Sequence, residues 1–88
     1  MIYLVTKAPE MFDNEYYQVI TVKKSLELLK PLKIVGVDTE TEGFDVYKDK
    51  LLLAQFGCFD FQVVVDCRTI NITNYKELLE DSEKLFLF

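Results

Sequence analysis

The chain has 88 residues, of which 50% are hydrophobic, 14% aromatic and 28% charged; that length allows one small domain burying about 60–65% of its unfolded surface, and the mixture is too apolar for an intrinsically disordered chain. Fifteen acidic residues against 10 Lys and Arg leave a formal net charge of −5, which argues against a free-standing, sequence-independent nucleic-acid binder, because such proteins gain affinity by neutralising phosphates. No apolar run approaches the ~18 residues that span a bilayer, and Met1-Ile2-Tyr3-Leu4-Val5-Thr6 has neither a basic n-region nor a small-residue cleavage site, so membrane insertion and secretion are not expected.

Histidine is absent, which excludes histidine triads, HExxH zinc sites and histidine general bases. Cys58 and Cys67 form no CxxC pair, so no zinc or redox motif is legible, and a reducing, cytoplasmic setting is expected.

In chain order, Ile2 to Val5 predicts a short apolar strand, broken by Ala8-Pro9-Glu10 before a polar loop at Asp13-Asn14-Glu15. Tyr16 to Val22 alternates loosely, as a second short strand would. From Lys23 the pattern turns helical, with Leu26, Leu28 and Leu29 on one side, Ser25 as the expected cap and Pro31 closing the helix. Lys33-Ile34-Val35-Gly36-Val37 reads as a buried central strand that stops at the polar string Asp38-Thr39-Glu40-Thr41-Glu42-Gly43. A charged connector then leads to Leu51–Phe56 and, through Gly57-Cys58-Phe59-Asp60, to Phe61–Val65, two strands of an antiparallel hairpin. These strands lack clean alternation, which predicts cover on both sheet faces. Asn71 to Glu83 reads as a helix with Asn74 and Glu77 as a capping box, and Lys84–Phe88 as a strand-like apolar run with no closing turn.

The chain contains D-x-E three times, at Asp13/Glu15, Asp38/Glu40 and Asp81/Glu83. Only Asp38/Glu40 follows directly from a buried apolar strand; the others sit in an expected loop and at an expected helix end, where solvated acids are ordinary. In an extended strand, residues i and i+2 project from one face about 6.5–7 Å apart. Two convergent carboxylates suit a hard divalent cation such as Mg²⁺ or Mn²⁺, and such ions cleave phosphodiesters by activating water and stabilising the leaving oxygen. On spacing and context alone, an acidic loop at a strand end fits equally well.

The string Ile34-Val35-Gly36-Val37-Asp38-Thr39-Glu40-Thr41-Glu42-Gly43-Phe44-Asp45, followed by Lys50-Leu51-Leu52-Leu53-Ala54-Gln55-Phe56-Gly57, resembles the first motif region of the DEDD superfamily of 3′→5′ exonucleases. It is most similar to the proofreading domain of family A DNA polymerases and to ribonuclease D, closely over residues 33–66 and in outline elsewhere. The resemblance implies that Asp38 bridges two metal ions, Mg²⁺ or Mn²⁺, and that Glu40 holds one of them near the attacking water. It also implies that Phe44 packs against the terminal base and that the Thr39 backbone N–H lies near the 3′ terminus. A core phenylalanine is the ordinary alternative for Phe44.

The same family needs a second motif, Asn-x-x-(Phe/Tyr)-Asp, and a third with Tyr or His plus a last Asp; neither is present. Residues 1–88 are therefore expected to be the N-terminal portion of a single exonuclease domain, ending just before the second motif and by themselves weakly active or inactive. The expected fold is α/β and ribonuclease-H-like but incomplete: an antiparallel three-strand meander from Ile34, Leu51 and Phe61, a crossover helix, and the start of a strand parallel to the first. The implied partner is a single-stranded 3′ end, of DNA as in proofreading, with a polymerase domain downstream in the parent protein, or of RNA. The alternative is a non-catalytic module that binds a partner or itself through the open edge at Lys84–Phe88.

Overall fold

The computed structural model describes residues 1–12, 15–41 and 50–88. Its strands are β1 (Ile2–Val5), β2 (Gln18–Val19), β3 (Ile34–Thr41), β4 (Leu51–Gly57), β5 (Gln62–Asp66) and β6 (Leu85–Leu87), and its α-helices are α1 (Val22–Leu29) and α2 (Lys76–Leu79). Short 3-10 turns cover Pro9–Met11 and Ile72–Tyr75. The strands form one sheet in the order β2-β1-β5-β4-β3-β6.

The expected meander is present: β3 pairs antiparallel with β4, and β4 antiparallel with β5. After β5 the chain crosses over and returns as β6, parallel to β3, with Ile34 opposite Leu85 and Gly36 opposite Leu87. The N-terminal strand β1 adds parallel to β5 on the other side. Of the loosely alternating Tyr16–Val22 stretch, only Gln18–Val19 pairs, parallel to β1.

Helix α1 begins at Val22, one residue before the start the periodicity suggests, but its cap lies a turn earlier than the expected Ser25. Thr21 is its cap, with the side chain accepting from the Lys24 N–H at 3.0 Å. Ser25 is instead inside the helix and fully buried, donating to the Val22 carbonyl at 2.6 Å. At the other end the Lys84 side chain reaches across from the residue just before β6; its ammonium donates to the Lys30 carbonyl at 2.6 Å and also to the Leu32 carbonyl. A cation placed there satisfies carbonyls that a helix end leaves without partners.

The helix expected over Asn71–Glu83 is shorter, a 3-10 turn followed by one α-turn ending at Leu79. The capping box does not form: Asn71 is the cap, accepting from the Thr73 N–H at 3.0 Å, and the Asn74 amide donates back to the Asn71 carbonyl at 2.7 Å. Two Asx-type side chains so close to the start favour tight local turns over a long helix.

Both helical segments cover one sheet face. Leu29 from α1 and Tyr75 and Leu78 from the second segment pack with Val5, Val35, Ala54, Phe56, Val63 and Val65, all buried. Full burial of such aliphatic and aromatic side chains contributes about 1.5–3 kcal/mol each. The opposite face, expected to be covered as well, is partly open: Ile34, Leu85 and Leu87 are exposed there. None of the described helices is long and apolar enough to cross a membrane.

Candidate active site

Strand β3 does not stop where the apolar run stops. Pairing to β4 carries it through Thr41, so Asp38, Thr39 and Glu40 are strand residues, with Asp38 opposite Gln55, Thr39 opposite Ala54 and Glu40 opposite Leu53. The alternation that turns Val35 into the core turns Asp38 and Glu40 to the opposite face, about 6.5–7 Å apart along the strand. The register slips immediately after Glu40, where Thr41 pairs with Leu51. An irregularity of this kind bends and twists a strand and re-aims the side chains beside it.

Asp38 and Glu40 are both exposed, and neither makes an ion pair among the described residues. One Asp38 oxygen, Oδ1, accepts from the Thr39 N–H at 2.9 Å. With Thr39, Leu53, Gln55 and Val64 they line a small pocket of about 40 Å³. The donor set is all oxygen, negative and accessible, which fits a hard divalent cation. It is also sparse, because no third His, Cys, Asp or Glu joins the pair among the described residues. Phe44 lies outside the described residues, as do Asp13 and the connector through Asp49.

The other D-x-E strings separate as context suggested, where they are described. Asp81 accepts from the Glu83 N–H at 3.0 Å and lies 3.8 Å from the Lys84 ammonium, so it shapes the turn before β6.

Two polar residues gain meaning only from the tertiary structure. Gln55 becomes a neighbour of Asp38 through the β3–β4 register. Asp66, at the end of β5, has no exposed surface and accepts from the hydroxyls of Thr6 at 2.8 Å and Thr69 at 3.2 Å, and from the Arg68 side chain at 3.0 Å. Burial pushes its pKa up, and the hydrogen bonds from Thr6, Arg68 and Thr69 more than offset that, leaving it below the ordinary value. Asp66 thus ties the ends of β1 and β5 together at the same end of the sheet as Glu40. Cys67, which follows it, is a free thiol whose pKa burial and the neighbouring Asp66 charge push up, the opposite of an activated nucleophile.

The fold recurs in solved structures of larger proteins. Escherichia coli RNase D, an exoribonuclease involved in structured RNA processing, superposes with a TM-score of 0.62 at 18% identity, over 74% of this chain and 18% of that one. Trypanosoma brucei RNase D in complex with RNA U12 gives 0.63 at 21% identity, over 97% of this chain and 29% of that one. The catalytic core of RRP6 from Trypanosoma brucei gives 0.57 at 17% identity, over 85% and 18%. The chain shares their fold. The ribonuclease-H-like architecture expected of DEDD exonucleases is therefore present, in a chain that spans less than a third of the length of these structural relatives. No protein-family model matches the chain, and neither does any curated protein sequence.

Proposed function

We propose that the chain carries the first half of the active site of a divalent-metal-dependent 3′→5′ exonuclease, with RNA as the substrate. Asp38 and Glu40 are the metal ligands, and Mg²⁺ or Mn²⁺ supplies activation of the attacking water and stabilisation of the leaving oxygen. The observation that carries this reading is the placement of two exposed carboxylates, making no ion pair among the described residues, on one face of β3 in an RNase-D-like fold. The Thr39 backbone and Phe44 belong to the same reading as contacts of the 3′-terminal nucleotide. RNA is favoured over a proofreading substrate because the structural relatives are RNases; a downstream polymerase domain is not part of the proposal.

Residues 1–88 form the N-terminal portion of a single exonuclease domain in this view, acting in the cytoplasm. With only two of the four carboxylates that the family uses, the chain by itself hydrolyses RNA very weakly or not at all.

Titration with Mn²⁺, followed by electron paramagnetic resonance of the free ion, tests the site. Saturable binding is expected in the wild type and is lost in Asp38→Ala and Glu40→Ala, whose melting temperatures stay at or slightly above the wild-type value because removing one of two neighbouring like charges relieves repulsion. Equal affinity in all three proteins sinks the metal assignment. Tighter binding of single-stranded DNA than of RNA in Ca²⁺ would reverse the choice of substrate.

Self-association has one specific observation behind it. Strand β6 is the edge of the described sheet, and its Leu85 and Leu87 are more than half exposed, so a second strand has a template to pair with. Sedimentation velocity across a concentration series distinguishes a monomer from an edge-paired dimer.

A further inference from the structure

A chain of side-chain amides runs from the candidate site into the hairpin. The Gln55 amide Nε2 donates to Gln62 Oε1 at 3.1 Å, and Gln62 Nε2 donates to the Cys58 carbonyl at 3.0 Å. The Cys58 carbonyl can only accept, so it dictates the polarity of the whole chain. Gln62 must present its nitrogen to Cys58 and its oxygen to Gln55, and Gln55 must answer with its nitrogen. The Gln55 oxygen is therefore the end without a partner among the described residues.

The backbone has made room for this arrangement. A Cβ on Gly57 would lie 1.9 Å from Gln62 Oε1 and 2.5 Å from its Nε2. Any other residue at position 57 would push the Gln62 amide away and release Gln55. Meanwhile Gln55 stands directly opposite Asp38 and on its face, where cross-strand Cβ atoms are about 4.5–5.5 Å apart. Gln55 lines both the pocket it shares with Asp38 and Glu40 and the adjoining one of about 250 Å³ floored by Gly36.

We infer that Gln55 supplies a third, neutral oxygen to the divalent cation that Asp38 and Glu40 hold, with Gln62 setting the orientation of its amide. The inference rests on the metal-site reading above. Hard cations take six or more oxygens and accept glutamine carbonyls and waters alongside carboxylates. A glutamine adds an oxygen without adding charge, whereas a third carboxylate on the same row would repel the first two whenever the site is empty. The donation falls on the Gln55 oxygen because its nitrogen is already committed to Gln62.

The experiment uses the full chain with Mn²⁺ as the probe, free ion measured by electron paramagnetic resonance, and thermal melting in parallel. Gln55→Met keeps the bulk and removes the amide, and should weaken Mn²⁺ about tenfold. Gln62→Met leaves the Gln55 oxygen in place but unoriented, and should weaken binding by less. Gln55→Glu should tighten it. If Gln55→Met and Gln55→Glu both bind Mn²⁺ like the wild type while Asp38→Ala does not bind, Gln55 is only a rung of the sheet and the inference is overturned, with the metal site intact. Absence of any Asp38-dependent binding in the wild type overturns the metal site and this inference together. Should Gln55→Met fail to fold, unchanged affinity in both Gln55→Glu and Gln62→Met overturns the inference equally.

Discussion

The hydroxyls of Ser25 and Tyr75 lie 2.7 Å apart, with no exposed surface on either residue. This contact joins α1 to the short segment before α2, two elements 50 positions apart in the chain. Ser25 already donates its proton to the Val22 carbonyl, so the Tyr75 hydroxyl is the donor between the two. The Tyr75 ring is stacked on Phe56 of β4 at 5.3 Å between centroids and 22° between planes, which fixes the helical layer on the core face of the sheet.

The two ends of that bond are unequal. Ser25→Ala leaves the Tyr75 hydroxyl buried without a partner and should cost about 1–3 kcal/mol, the desolvation penalty of an orphaned group. Tyr75→Phe keeps the stacking and leaves Ser25 bonded to Val22, so it should cost about 0.5–1.5 kcal/mol. The double variant should be more stable than the sum of the two losses implies. Urea denaturation of the four proteins checks all three statements, and a Tyr75→Phe loss larger than that of Ser25→Ala contradicts the assignment of donor and acceptor.

Acid should reveal Asp66. Its folded-state pKa is below the ordinary carboxylate value of 3.8, so the unfolded chain binds the proton more tightly and the ionised form favours folding. The stabilisation is complete above the unfolded-state value and is lost as pH falls through the lower folded-state value. Asp66→Asn should therefore lower stability by about 1–3 kcal/mol at neutral pH, with the gap from the wild type closing in strong acid. Urea midpoints between pH 2 and pH 7 measure this, and a gap independent of pH assigns the loss to packing rather than charge.

The glycines paired across β3 and β4, Gly36 and Gly57, should respond differently to the same change. Gly36 is near only the Gly57 carbonyl oxygen, at 3.7 Å from an added Cβ, an ordinary contact, so Gly36→Ala should stay within about 0.5 kcal/mol of the wild type. Gly57→Ala drives its methyl into the Gln62 amide, the end of a partly exposed side chain that can swing away, and should cost about 0.5–1.5 kcal/mol through the hydrogen bonds that move. In a Gln62→Ala background the same Gly57→Ala change should cost much less. Equal losses in both backgrounds place the strain in the backbone instead.

Apolar runs and turn residues made β1, β3, β4, β5 and β6 legible, because a strand buried on one face and flanked by glycine or charge has few alternatives at this length. The antiparallel hairpin followed from Gly57–Asp60, and the position of Asp38 and Glu40 directly after Val35-Gly36-Val37 marked them as the D-x-E pair at a strand. Helix ends were less legible. Thr21 and Ser25 are both capping residue types, and the choice between them fell to the Tyr75 hydroxyl, which needs Ser25 inside the helix. Asn71 likewise took the role expected of Asn74, since two competing Asx turns differ by little until packing selects one.

Strand composition made the α/β pattern readable and the D-x-E spacing offered three candidate pairs, and the resemblance of residues 33–66 to DEDD exonucleases singled out Asp38 and Glu40 and the ribonuclease-H-like strand order. Nothing local distinguishes Gln55, Asp66 or Lys84 from surface residues. Gln55 faces Asp38 only through the β3–β4 register, Asp66 receives the Thr6 hydroxyl from 60 positions away, and Lys84 caps α1 only after the chain has crossed the sheet. Each of these partnerships is made between segments distant in the chain, so its energy exists only once the sheet has closed.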